Sequence, residues 1–290
     1  MAPFLEEAIR SVLSQDYPNI EYIVMDGGSN DGTLDILRRH EGRLRWESRP
    51  DRGQSDAINR GFLQSRGSVF GFLCADDAYL PGAVRTAVQH LLSHPEYAGV
   101  YGEGYLVDEQ GGIRCRYPTR EFDPAGLRSE CFICQPACFL RREVFAEVGM
   151  LDPHLHYALD YDLWIRIAKR YLLLKVDEYL AVSRMHRGAK TLAGRRMMYK
   201  KHMEVALRHY GYVPFANVYG YCCALLDRRD GFYEPVPPSP AKYALTWLVG
   251  SLQNWRHPLR FWRECLRSGL DAWKRGAWPP GGKESGGLRQ

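Results

Sequence analysis

Apolar residues near the amino terminus recur with a helical period. Phe4, Leu5, Ala8, Ile9, Val12 and Leu13 share one face, which predicts a helix over residues 4–13; Tyr17-Pro18-Asn19 ends it. The pattern then changes period. Ile20 to Met25 is a short β-branched and aromatic run ending on Asp26, and the Gly27–Gly32 turn leads to a helix that Asp31 or Thr33 can cap. Leu44 to Glu47 predicts a second strand, and Asp51-Arg52-Gly53 turns the chain into a helix over 54–65. Val69 to Leu73 is a continuous apolar strand with Asp76-Asp77 beyond its carboxyl end, and Pro81 suits the first turn of the next helix. Strand and helix in alternation argue for an α/β fold with a mostly parallel central sheet flanked by helices. Ligands of such sheets bind outside the carboxyl ends of the strands, and Asp26 and Asp76-Asp77 both fall there.

From about residue 99 the pattern becomes strand-rich. Tyr101–Val107, Ile113–Tyr117 and Phe132–Leu140 read as strands, with Gln110-Gly111-Gly112 as a turn. Helices are predicted at 141–148, with Gly149 as carboxyl cap, and at 160–170, with Leu163, Trp164, Ile167 and Ala168 on one face. Strands at 172–176 and 179–185 close this half. A basic helix at 195–210 follows, then the Pro-rich linker 235–240 and a Trp-punctuated helical stretch. The expected domains are 1–192 for the α/β body, 193–278 for a helical, basic, Trp-rich extension, and 279–290 as a disordered tail.

Charge is distributed unevenly. The chain carries 39 Lys plus Arg and 34 Asp plus Glu, yet residues 241–290 are net +6 and the rest about −1. The near-neutral body argues against nucleic-acid binding. No apolar run approaches the ~20 residues that span a bilayer, and the amino-terminal MAPFLEEAIR has acids where a secretory leader carries cations. The expected location is therefore cytoplasmic, with the eight cysteines reduced. Cys131, Cys134 and Cys138 have a metal-like spacing, but the apolar CFICQPACFL around them favours core packing, and no second pair completes four ligands.

The acidic positions carry the chemistry. Asp26 is either a helix cap or a strand-end acceptor for a base or ribose. Asp76 and Asp77 are adjacent at the mouth of a buried strand, where two carboxylates repel unless something positive joins them. A hard divalent cation, Mn²⁺ or Mg²⁺, does this; the alternative is a cap for the helix after Pro81. Asp160 and Asp162, two residues apart on a helix, point to different sides, so only one can face a site, and acids in a first turn also suit the helix dipole. His186, near Arg187 and Lys190, is an ordinary packed histidine or a phosphate contact.

Taken in order, AIRSVLSQDYPNIEYIVMDGGSNDGT, SRPDRGQSDAINRGFLQSRGSVFGFLCADDAYLPGAV and QPACFLRREVFAEVGMLDPHLHYALDYDLWIRIAKR resemble glycosyltransferase family 2 over about residues 3–192. The resemblance implies a GT-A fold and an inverting, metal-assisted sugar transfer from a nucleotide-diphosphate donor. It implies that Asp26 meets the nucleobase and that Asp51, Arg52 and Asp56 line the nucleotide, with Gln54 and Asn59 on the same helix. Asp76 would meet the ribose or sugar, Asp77 the metal and His186 the diphosphate, while Asp160 serves as general base. Asp162 and Trp164 lie beside that base. Family members begin with an apolar strand, whereas here Met1 precedes the first helix, so a start further upstream is expected. The Gln-x-x-Arg-Trp motif of processive synthases is missing, which implies single-residue transfer.

The implied acceptor is a glycan or lipid-linked molecule of envelope or exopolysaccharide assembly. Residues 241–275 then read as a peripheral contact with the inner face of a membrane or as a subdomain packed on the body. Two rivals remain: an α/β nucleotide- or adenosylmethionine-binding protein of another class, and a non-catalytic, degenerate transferase acting as an assembly partner.

Overall fold

The computed structural model describes residues 1–227 and 238–274. The predicted disordered tail, Trp278 and the first part of the Pro-rich linker lie outside the described residues. The chain divides into two compact units, one of Met1–Leu127 with Cys131–Ala193, the other of Arg128–Glu130 with the chain from Gly194 onward.

In the first unit, helix α1 (Ala2–Leu13) buries Leu5, Ala8, Ile9 and Val12, the face that the periodicity marked. Strand β1 (Ile23–Asp26), helix α2 (Thr33–Arg39) and strand β2 (Arg45–Ser48) form a crossover, with β1 and β2 parallel and Asp26 opposite Ser48. Leu5 and Ile9 meet Ile36, Leu37 and Leu44 in the core beneath that pair. Helix α3 (Gln54–Gln64) then leads to β3 (Val69–Gly71), β4 (Ala78–Tyr79) and α4 (Ala83–Ser93).

The second sheet grows around β5 (Gly99–Val107). Strand β6 (Ile113–Arg116) folds back on its carboxyl half and β7 (Cys138–Arg141) on its amino half. After α5 (Val144–Val148) and α6 (Leu159–Ala168), β8 (Leu173–Arg184) lies parallel to β5 on its other side, before α7 (Lys190–Ala193). The order is β3-β7-β5-β8-β4, with β6 paired to β5.

The sheet is more mixed than the alternation predicts. β1–β2 and β5–β8 are parallel, whereas β3–β7, β5–β7, β5–β6 and β4–β8 are antiparallel. An antiparallel partner needs only a short turn, while a parallel one needs a long crossover. The 108–112 turn supplies the short kind: Gln110 and Gly112 donate backbone N–H groups to Asp108 Oδ1, and Gly111 takes the left-handed backbone at φ 85°. Two further readings need correction. Residues 132–137 are not strand: Gln135–Ala137 is a 3₁₀ turn, because Pro136 cannot donate to a ladder. The two strands expected at 172–185 are one, running through irregular pairing opposite residues 101–104. There Gly104 lets Cys134 approach, since a Cβ on it would lie 2.5 Å from the Cys134 Sγ. Cys134 and Cys138 are buried and free, as core packing requires.

In the second unit, α8 (Arg195–Tyr210), α9 (Phe215–Leu226), α10 (Pro240–Gln253) and α11 (Pro258–Lys274) surround Met203, Tyr212, Val213, Val218, Cys222 and Phe261. Asn254 ties the bend after α10 to the chain before α9. Its Oδ1 accepts from Val213 N (2.8 Å) and its Nδ2 donates to Val213 O (2.9 Å).

Candidate active site

The segment after β3 carries Cys74, Asp76 and Asp77, and their ligand atoms all lie within 4.8 Å of one another. Cys74 is missed by a reading that looks for cysteine pairs; its place one residue before Ala75-Asp76-Asp77 is the available signal. Asp77 is buried. Its Oδ1 accepts from Arg184 N (2.9 Å). Burial first, and the charge of Asp76 second, push its carboxyl up to about 8, against the hydrogen bonds from Arg184 and Ser183. Two ionised carboxylates are thus not sustained here without added positive charge. Hard oxygen donors fit Mn²⁺ or Mg²⁺. Cys74 does not fit such an ion: burial and then Asp77, Asp76 and Asp160 push its thiol well above the ordinary range, and thiolate, not thiol, is the ligand.

Two residues of β8 and the loop after it hold this acidic segment. Gly188 N donates to His186 Nδ1 (3.2 Å), so the ring proton sits on Nε2, 3.0 Å from Asp76 Oδ2, to which it is donated. The ring packs on Phe4 with centroids 4.6 Å apart. Arg184 is buried and joins three segments. Its Nε donates to Asp76 O (3.1 Å), its Nη1 to Asp108 O and Glu109 O, and its Nη2 to Glu7 Oε2 (2.6 Å). Nothing in the local pattern singles out Arg184, because all its partners are distant in sequence.

Lys190 reaches the same place from α7. Its Nζ donates to Gln54 Oε1 (3.0 Å) and His156 O (3.3 Å), while Gln54 Nε2 donates to Cys74 Sγ (3.0 Å). Burial lowers the Lys190 ammonium, opposed by the charges of Cys74, Asp51 and Asp76. Asp160 opens α6. Burial raises its carboxyl above the ordinary range, against hydrogen bonds from backbone N–H groups, and its charge is felt at Cys74. Just before it, Ala158 has φ 58°, a left-handed backbone that a residue with a Cβ adopts at a cost. Asp162 turns the other way: it is buried, and its Oδ2 accepts from Arg166 Nε (2.8 Å), an arginine that also donates to Gly149 O and Met150 O. Trp164 is fully buried. The two acids on one helix therefore have different surroundings, one beside the acidic segment and one packed.

The remaining residues form the rim at β1 and β2. Asp26 Oδ2 accepts from Gly28 N (3.0 Å), Ser29 N (2.9 Å) and Ser48 Oγ (2.6 Å). Burial opposes ionisation of Asp26, yet these bonds hold its carboxyl below the usual range. One oxygen is thus engaged in fixing the turn. Gly27 lies against Asp51, and a Cβ there would come 2.6 Å from Asp51 Oδ2. Asp51 Oδ1 accepts from Gly53 N (2.8 Å). The exposed Arg52 pairs with Asp56 (3.1 Å), and these bonds hold the Asp56 carboxyl below its ordinary value. Asn59 braces the 151 loop through both its amide atoms. Asp51, Asp76 and Asp160 thus share neighbours through Lys190 and Cys74, whereas Arg52 and Asp56 engage one another at the solvent.

Residues 2–149 match the sequence model of Glycosyl transferase family 2. A protein of Rickettsia prowazekii named as an uncharacterized glycosyltransferase is 28% identical over 66% of this chain and 62% of its own. A Rickettsia conorii protein of like name is 31% identical over 66% of this chain and 34% of its own. The chain thus spans less than two thirds of these relatives. The O-antigen biosynthesis protein RfbC of Myxococcus xanthus is 31% identical over 57% of this chain and 13% of its own. Among solved structures, S. aureus TarS in complex with UDP aligns over 95% of this chain and 88% of its own, at TM-score 0.55 and 13% identity. The mannosyltransferase PcManGT of Pyrobaculum calidifontis, in complex with GDP-Man and Mn²⁺, aligns over 96% and 84%, at TM-score 0.57 and 19% identity. These likenesses show the GT-A fold.

Proposed function

The chain belongs to glycosyl transferase family 2, and we propose that it transfers a sugar from a nucleoside-diphosphate donor to an acceptor hydroxyl with inversion, one residue at a time. The observation that carries this reading is the buried Asp77, beside Asp76, in a position that calls for positive charge. Asp77 and Asp76 would hold a divalent cation, which when bound supplies neutralisation of the leaving diphosphate. His186 orients Asp76 through Nε2, and Lys190 offers an ammonium on the same side. Asp26, Asp51, Arg52 and Asp56 form the nucleoside side of the site. Asp160 takes the proton from the attacking hydroxyl; its raised carboxyl makes it a stronger base than an exposed aspartate. Support for a glycan acceptor comes from the O-antigen relative; a lipid-linked acceptor and work at the inner face of a membrane belong to the same proposal, and rest on the basic, Trp-rich stretch 241–275. No helix among the described residues is long and apolar enough to cross a membrane.

The test is thermal unfolding with UDP, GDP or dTDP, each with and without Mn²⁺, beside Asp77→Ala. Ligand at ~100 times its dissociation constant adds about 2.7 kcal/mol of stability. A Mn²⁺-dependent shift with one diphosphate, lost in the variant, is the expected result. A folded chain that responds to none of them would instead fit the non-catalytic assembly partner.

A further inference from the structure

Helix α10 is apolar on two sides, and only one of them is used by the core. Tyr243, Leu245 and Val249 pack inward with Phe261 and Cys265. Trp247, Leu248 and Leu252 lie on the opposite side, within about 140° of arc at 100° per residue, Trp255 follows in the turn after the helix, and all four are 49–70% exposed. From Tyr243 to Trp255 there is no charged residue, and Ser251, within the same arc, turns its hydroxyl to Trp247 O (2.7 Å).

Helix α11 repeats the arrangement with a charged edge. Leu259, Leu266 and Leu270 form an exposed stripe, with Trp262 on the same face. Trp262 stacks on Trp247 at 5.9 Å and its Nε1 donates to Ser251 Oγ (2.9 Å). The two stripes are therefore one continuous surface. Arg263, Arg267 and Lys274 run along the edge of the α11 stripe and are exposed.

We propose that this outer face of α10 and α11 docks on an anionic lipid surface, with the leucines in the acyl boundary, the indoles at headgroup level and the cationic edge on the phosphates. This extends the proposed work at a membrane face to one surface of the protein, and rests on that reading. Charge decides between occupants. A second copy would present the same face to itself, bringing two net-positive edges together, with only Asp271 as an exposed acid on that helix. An anionic bilayer offers the missing negative charge, and amphipathic helices with Trp and Leu on one side and Arg beside them bind in its interface.

The experiment is co-sedimentation of the full chain with vesicles of phosphatidylcholine alone or mixed with phosphatidylglycerol. We expect partition to favour the mixed vesicles by about tenfold or more, since each surface cation adds to attraction by an anionic leaflet. Leu252→Glu with Trp255→Glu, both at exposed positions, abolishes binding with the unfolding temperature unchanged. Arg263→Gln with Arg267→Gln removes the preference for the anionic vesicles and leaves weak binding to both. A folded chain that binds neither vesicle, or binds both equally, overturns the proposal, as does a dimer that Leu252→Glu dissociates in the absence of vesicle binding. The Mn²⁺-dependent donor shift is measured on the same samples. A retained shift without vesicle binding removes the docking and leaves the transferase, while vesicle binding without the shift removes the transferase and leaves the docking.

Discussion

Two acidic loops border the site, and they handle their charge in opposite ways. At the rim, Asp56 meets Arg52 (3.1 Å) and Arg60 (3.9 Å) in partial solvent, and its carboxyl falls below the ordinary range. After β3, Asp77 is buried beside Asp76, meets a backbone N–H rather than a cationic side chain at Oδ1, and rises to about 8. Charges paired in water are nearly neutral to stability, whereas charges buried without a counter-ion cost several kcal/mol. The rim loop is therefore complete as it stands. The inner loop is complete only when something positive joins it, which marks it as the working part of the site.

Removing the base should separate chemistry from architecture most sharply. Asp160→Asn keeps the side-chain shape and should lower kcat by about 10²–10⁴-fold, with donor-induced stabilisation unchanged. In the wild type, kcat should fall as pH drops through the Asp160 pKa, at a pH above the ordinary carboxylate range because that pKa is raised. A kcat that stays level down into the ordinary carboxylate range would assign the base elsewhere.

Arg184→Ala should be next in size. It leaves Glu7 Oε2, Asp76 O and Glu109 O without this donor, and Asp108 O with Gly111 N alone, a loss of roughly 3 kcal/mol readable in urea unfolding. A third test addresses the inner loop directly. Protons and Mn²⁺ compete for Asp77, so Mn²⁺ affinity should climb with pH, by up to about tenfold per unit, and level off above about 8. In the metal-free protein the same group works against folding. Its folded pKa lies above the unfolded value of 3.8, so the cost is absent below pH 3.8, grows as pH rises, and is complete above about 8. Asp77→Asn removes that slope. The smallest effect belongs to the rim: Arg52→Ala should change stability by less than about 1 kcal/mol, with any loss confined to donor affinity.

The same contrast explains what the sequence reveals. The face of α1 follows from 3.6-residue periodicity, the span of α8 from a shift to basic composition, and the Asp76-Asp77 position beyond β3 from an apolar run followed by acids. The mixed pairing of the second sheet does not, because β5 pairs antiparallel with β6 and β7 and parallel with β8 under one common apolar pattern. Nor does the surrounding of Asp77. Arg184 lies 107 residues away and Lys190 meets Gln54 across 136, separations that no local period records. Family resemblance points to site residues one at a time; the structure adds Arg184 and Cys74 and joins Gln54 to Lys190 between the acids.

That separation also sets an order of events during synthesis. Asp77 leaves the ribosome 107 residues before the backbone N–H of Arg184 that it accepts from. At roughly 5–20 residues per second, the acidic loop waits about 5–20 s for its clasp. Arrested nascent chains ending before and after β8 should differ in protease cleavage at the 74–77 loop. The front half of the domain is thus made early, and its reaction centre is finished from behind.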